Sequence, residues 1–127
     1  EHTLRRRFMF RLFTLLLTLV VAVPATAQAY DRISDRTTFV NTVDGKDLKI
    51  ALYRLTLNVN ANGSINGRAA GWDIVGSWSW EGGYFCRDMD WSGYPIKYNC
   101  QLVELSEDRI RFTVDQGAGD DAVLRIR

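Results

Sequence analysis

The chain contains a single histidine, His2, which lies in an N-terminal segment that we predict to be removed. A domain without histidine cannot build a Ser-His-Asp or Cys-His catalytic pair, and it lacks the imidazole ligand common in zinc and haem sites. No Gly-x-Gly-x-x-Gly motif follows a predicted strand, so nothing indicates a dinucleotide site. We therefore expect no metal and no cofactor, and the sequence favours a protein without a catalytic role.

The N-terminal segment, residues 1–29, has the layout of a secretory signal peptide. A basic start at residues 5–7 precedes an apolar run at residues 12–23, and a small-x-small cleavage site ends the segment. Met9 begins an equally good signal peptide, so residues 1–8 can be upstream sequence that is not translated. The apolar run is shorter than the ~20 residues of a membrane-spanning helix. We expect a periplasmic or secreted protein with no transmembrane anchor after cleavage, and both the unfolded-chain and twin-arginine export routes stay open.

The rest of the chain, residues 30–127, has the length of one small exported domain. Four of the 16 Lys and Arg residues and one of the 15 Asp and Glu residues lie in the signal segment, so this domain carries a formal charge of −2. No basic patch indicates nucleic acid as a partner. Cys86 and Cys100 predict a structural disulfide, because a pair in a small exported domain is normally oxidised and the Cys-x-x-Cys spacing of redox thiols is absent.

One short helix is predicted near the start of this domain. It begins at Ser34 and Asp35, ends at Asp44-Gly45, and carries Phe39 and Val43 on one face. After it, apolar residues alternate with period two, which is typical of strands. Turns are predicted where the alternation shifts or turn residues cluster: near Tyr53-Arg54, at Asn62-Gly63, at Gly82-Gly83 and at residues 115–121.

Seven or eight short strands joined by tight turns predict an antiparallel meander. In the first of them, Leu48, Ile50 and Leu52 are predicted to share one face. So short a meander most easily closes on itself, and the helix then covers one open end. The predicted fold is mainly β, a small up-and-down β-barrel with one short N-terminal helix, and a β-sandwich is the alternative.

Aromatic residues are concentrated between residues 72 and 98. Trp78 and Trp80 lie on the apolar face of their strand and are expected in the core. The aromatic residues in or beside loops are candidates for stacking on a small ligand: Trp72, Trp91 and Tyr94.

Arg87 and Gln101 each follow a cysteine by one residue. If their strands pair, both side chains lie on the face opposite the disulfide and can converge. An arginine there can hold a ligand carboxylate. It can equally form a structural ion pair with Asp115 or Glu104, and the sequence leaves both interpretations open.

Acidic residues provide the material for a rival function. Glu81, Asp88 and Asp90 are the candidate catalytic groups of a small carboxylate-based hydrolase, although strand-end acids more often simply face water. Residues 115–121 resemble one turn of a glycine-aspartate calcium repeat, but a single copy cannot stack, so an ordinary turn is predicted.

Four motifs resemble those of a group of short exported bacterial proteins with no assigned function: Gly76-Ser77-Trp78-Ser79-Trp80, Gly83-Tyr84-Phe85-Cys86-Arg87, Asn99-Cys100-Gln101 and residues 111–120. Some proteins of this kind carry the name dihydrodipicolinate reductase. That activity requires a dinucleotide-binding domain and a histidine-rich catalytic stretch, and this chain has neither. The predicted architecture is similar to that of lipocalin and avidin barrels, which share a Gly-x-Trp pattern.

Together these observations favour an exported, non-catalytic binding or interaction module. Its partner is expected to be a small molecule at the barrel mouth or an envelope protein. The residues expected to contact it are Trp72, Arg87, Trp91, Tyr94 and Gln101. Three alternatives remain: the carboxylate-based hydrolase, an inhibitor of an envelope hydrolase, and a structural envelope component without a pocket.

Overall fold

The computed structural model describes residues 17–23 and 29–127. It is mainly β, with eight antiparallel strands closed into a barrel and one helix. This confirms the predicted barrel rather than the sandwich. The predicted signal peptide falls largely on residues 1–16 and 24–28, which lie outside the described residues. Within the described part of the chain, no helix combines the length and the apolar character needed to cross a bilayer.

The described residues form these elements in chain order: β1 Asp31–Ile33, α1 Arg36–Val43, β2 Leu48–Ile50, β3 Leu55–Val59, β4 Ser64–Ala69, β5 Trp72–Glu81, β6 Tyr84–Trp91, β7 Tyr94–Ser106, β8 Arg109–Thr113 and β9 Asp121–Ile126. Each strand from β2 to β8 pairs with the next, and β9 pairs back with β2. The short β1, which the sequence did not predict, pairs with the last part of β7. The predicted hairpin at Asn62-Gly63 is present, with Val59 opposite Ile65.

Successive turns lie at opposite ends of the barrel, because neighbouring strands run in opposite directions. The end that we call the helix end contains α1 and the turns after β3, β5 and β7. The end that we call the open end contains the turns after β2, β4, β6 and β8, at residues 51–54, 70–71, 92–93 and 114–120.

Helix α1 closes the helix end. The Asp35 side chain accepts hydrogen bonds from the Thr38 backbone N and Oγ1, 2.9 and 2.8 Å away, so it caps the helix, which starts where the sequence predicts. Phe39 is completely buried, and its ring centroid lies 5.3 Å from that of Trp78 and 5.1 Å from that of Phe85. The helix therefore places an aromatic residue in the barrel interior, next to Trp78, which is buried as the alternation of its strand predicts.

The turn between β2 and β3 differs from the prediction in one residue. Leu52 was expected beside Leu48 and Ile50 on the inner face, but it is exposed in a short 3₁₀ turn, Ala51–Tyr53. The chain reverses at Arg54, which adopts the left-handed conformation at φ 48°. Because the turn begins directly after Ile50, the alternation of β2 does not extend to Leu52.

The seam that closes the barrel, between β2 and β9, is short. The ladder pairs Leu48 with Ile126 and Lys49 with Arg125, and next to it Asp47 and Arg127 exchange two backbone hydrogen bonds of 3.0 and 2.8 Å. Both pairs lie toward the helix end, and Ile50 has no partner on β9. Toward the open end, β9 remains bonded to β8 alone, as far as Thr113 with Asp121.

Candidate functional site

A cavity of about 180 Å³ lies inside the barrel, between α1 and the open end. Its wall is apolar over most of its surface, with residues that include Leu57, Val59, Ile65, Met89, Phe112 and Leu124. Ala122 lines the cavity and is also exposed to solvent, so the cavity reaches the surface beside it, next to the β2–β9 seam. The volume is somewhat larger than the ~150 Å³ of an apolar cavity known to hold benzene.

Two polar side chains, Arg87 and Gln101, lie in this apolar wall. Both are buried, with 7% and 8% of their surface exposed. Arg87 lies opposite Asn99 and Gln101 opposite Phe85, so they are diagonal neighbours on the inner face of β6 and β7. Diagonal pairs are within reach of each other when their side chains are long. The structure thus brings together two of the five residues predicted to bind a ligand.

The disulfide fixes the strand register between these two residues. Cys86 and Cys100 are directly opposed on β6 and β7, and their sulfur atoms are 2.08 Å apart. The side chains of successive strand residues point to opposite faces. The bridge therefore holds the two strands together from behind the inner face that carries Arg87 and Gln101, as the sequence predicts.

A β-bulge directly beyond Arg87 provides a hydrogen-bond acceptor for the Arg87 side chain. Between the rungs at Arg87 and Met89, β7 has one residue more than β6. A bulge takes backbone groups out of the ladder, and Arg87 Nη1 donates to the carbonyl oxygen of Lys97 there. An arginine has five N–H donors, and among the described residues this is the only hydrogen bond that the Arg87 side chain makes.

Among the described residues, no carboxylate forms a salt bridge with Arg87. Glu104 pairs with Arg111 at 3.0 Å, and Asp115 accepts a hydrogen bond from Asn99 at 2.8 Å. Burial lowers the pKa of Arg87, and the nearby Asp88 opposes this shift only in part. Since arginine stays charged in proteins, the site contains a largely buried cation that has no salt-bridge partner among the described residues. Neither of the two structural ion pairs considered from the sequence is formed.

Gln101 is likewise unpaired through its side chain. No residue in the described ranges forms a hydrogen bond with its amide, and the amide atoms keep some contact with solvent; within those ranges, the fully buried side-chain nitrogen without a partner is Trp80 Nε1. The amide can donate and accept. Together, the Arg87 and Gln101 side chains provide several hydrogen-bond donors for the oxygen atoms of a ligand, at one point of an otherwise apolar wall.

The three aromatic residues predicted to bind a ligand lie near the open end, outside the cavity lining. Trp72 and Tyr94 are 64% and 67% exposed. Trp91 is half-buried, and its Nε1 donates to the Ala69 carbonyl oxygen at 3.1 Å, which ties the turn after β4 to the turn after β6.

The three candidate catalytic carboxylates do not converge. Asp88 and Asp90 line one shallow hollow on the outer surface. Glu81 lies opposite Tyr84, four rungs along β5 from the rung of Asp88, which at ~3.3 Å per residue is about 13 Å. Its carboxylate accepts a hydrogen bond from Tyr98 Oη at 3.1 Å, and this contact raises the pKa of Tyr98.

One group of side chains in the described ranges has ligand atoms close enough to hold a metal ion: Glu81, Cys86 and Cys100. The two sulfur atoms are bonded to each other, and a metal requires free thiolates. In the disulfide form this group therefore offers one carboxylate and no thiolate ligand.

Comparison of the chain with protein-family models, with curated proteins and with solved structures gave no match. The function is therefore inferred from the cavity and the groups that line it. The alternation of the sequence indicated Arg87 and Gln101. It gave no signal for the bulge at Lys97 or for the opening beside Ala122, because both depend on how distant strands align.

Proposed function

We propose that this protein binds one small, mainly apolar molecule inside its β-barrel and has no catalytic role. The observation that carries the proposal is the cavity of about 180 Å³, which is lined by aliphatic and aromatic side chains and contains two polar ones. Ligand sites are typically concave and apolar, with a few polar groups that orient the ligand. The volume limits the buried part of the ligand to about the size of one ring or a short alkyl chain.

In this proposal the ligand enters the cavity at the open end of the barrel. Phe39 and the aromatic rings around it fill the opposite end, whereas the cavity meets the surface beside Ala122. The β2–β9 ladder stops before Ile50, so a ligand passing here breaks no strand pairing.

A cavity-filling variant tests this function. Ala122→Phe places a ring at the opening, while Val123→Phe adds the same ring at the next residue of β9, which does not line the cavity. Two-dimensional NMR titrations with octanol and octanoate are expected to show saturable shifts at cavity residues in the wild type and in Val123→Phe. Ala122→Phe should lose them while keeping a folded spectrum. If neither compound binds saturably, or if both bind Ala122→Phe as well as the wild type, the cavity is not a ligand site.

A further inference from the structure

We infer that the ligand of this cavity is a monoanionic carboxylic acid, with its carboxylate on Arg87 and Gln101 and its apolar body against the aliphatic wall. The inference rests on the proposed function, because it specifies the ligand class of the same site. Its basis is an imbalance among the described residues that line the cavity, which include a buried cation, no anion and an amide without a hydrogen-bond partner.

The imbalance has an energetic meaning. A buried charge is normally paired, since removing an ion from water costs far more than removing a neutral group. Arg87 is 7% exposed, forms no salt bridge within the described residues, and has one hydrogen bond, to a neutral carbonyl. A bound anion would supply the missing counter-charge where the low dielectric makes it most effective.

The geometry of the donors favours a carboxylate. The planar fork of a guanidinium matches the two oxygens of a carboxylate, and most of the Arg87 donors have no protein partner. Gln101 lines the same cavity one diagonal step away and can donate a further hydrogen bond.

The charge of the cavity lining favours an anion that carries a single negative charge. Of the described residues that line the cavity, one has a cationic side chain, Arg87. A phosphate monoester carries about −1.5 to −2 charges at neutral pH, so its second charge would be buried without compensation. A monocarboxylate leaves the site neutral.

The experiment compares ligands that share an alkyl chain and differ in the head group. Dissociation constants for octanoate, octanol and octyl phosphate are measured by calorimetry with the oxidised wild-type protein, Arg87→Met and Arg87→Lys. Arg109→Met is the control, because Arg109 is exposed and lies outside the cavity lining.

We expect octanoate to bind the wild type and Arg109→Met about 10- to 100-fold more tightly than octanol, the usual effect of charge-assisted hydrogen bonds. Arg87→Met should remove this preference and leave octanol binding unchanged, and Arg87→Lys should retain part of it. Octanoate binding should weaken as the pH falls below the pKa of a carboxyl group, about 4 to 5, while octanol binding stays constant.

The melting temperature of the free protein separates a ligand-binding arginine from a structural one. Removing an unpaired buried cation should leave the melting temperature of Arg87→Met equal to or above that of the wild type. Equal affinities for octanoate and octanol, tighter binding of octyl phosphate, or a clear loss of stability in Arg87→Met would overturn the carboxylate assignment and leave the cavity function intact. Absence of binding by all three compounds would instead remove the proposed function itself.

Discussion

The two ends of the barrel are built differently. At the helix end, Phe39 packs among the aromatic rings of Trp78, Trp80, Phe85 and Phe112, with centroid distances of 5.0 to 6.4 Å. At the open end, the interior is a cavity that holds an unpaired cation. This small domain thus concentrates its tight aromatic packing at one end, and the other end contains the cavity that we propose as the ligand site.

The hydrogen bonds of the helix end also differ from those of the open end. At the helix end, Arg36 donates to the Ala61 carbonyl oxygen and Asp44 accepts from the Ala61 N–H, so α1 is bonded to the turn after β3. At the open end, Ala70 donates to the carbonyl oxygen of Tyr53, which joins two turns to each other. The open end is thus held at its rim, and none of the described helices or strands crosses its interior.

The largest expected change in the free energy of unfolding is that of Phe39→Ala. Removing a fully buried phenylalanine leaves a cavity and should lower the free energy of unfolding by about 3–5 kcal/mol. Urea denaturation measures this loss, and Thr37→Ala, an exposed change in the same helix, is the control. A loss below about 1 kcal/mol, the range of ordinary surface changes and mild core changes, would show that the helix end is not the main source of stability.

Trp91→Phe tests the open end with a smaller expected effect. It removes the hydrogen bond from Trp91 Nε1 to Ala69 and should lower the free energy of unfolding by about 1 kcal/mol. Trp72→Phe alters an exposed side chain that forms no hydrogen bond with the described residues, and it should change stability by less than about 0.5 kcal/mol. The same variants test the ligand role predicted for these tryptophans. A tenfold loss of octanoate affinity in Trp72→Phe would extend the site from the cavity to the rim.

Asp35→Ala is expected to have a pH-dependent effect on the helix end. Hydrogen bonds from Thr38 lower the pKa of Asp35 in the folded protein below its ordinary value of 3.8. A depressed folded-state pKa means that the contribution is present above the unfolded pKa and is lost as the pH falls through the folded value. The melting temperature of Asp35→Ala should therefore be lower than that of the wild type at neutral pH, and the difference should vanish in acid. A difference that persists unchanged below that pKa would contradict the capping role.

Local patterns in the sequence predicted much of the fold. The start of the helix near Asp35, the spacing of Phe39 and Val43, and the Asn62-Gly63 turn are each determined within a few residues, and all three are present. The approach of Arg87 and Gln101 also follows from local alternation, once the cysteines fix the register of their strands.

Other features depend on contacts between distant segments. The bulge at Lys97 depends on how two strands align across a hairpin. The extent of the β2–β9 ladder depends on the closure of the whole barrel. Leu52 does not share the inner face with Leu48 and Ile50, because β2 ends at Ile50. Whether Arg87 has a counter-ion depends on the partners that Glu104 and Asp115 find elsewhere, which composition and periodicity do not reveal.

The short β2–β9 ladder has a consequence for the rate of ligand exchange. A ligand that enters and leaves beside Ala122 passes where the two strands are already unbonded, so exchange requires local side-chain and turn movements rather than global unfolding. Such movements take nanoseconds to microseconds. We therefore expect the residence time of the ligand to be governed by the strength of its contact with Arg87, and the amide hydrogens of β9 near Ala122 to exchange with solvent faster than those of β6.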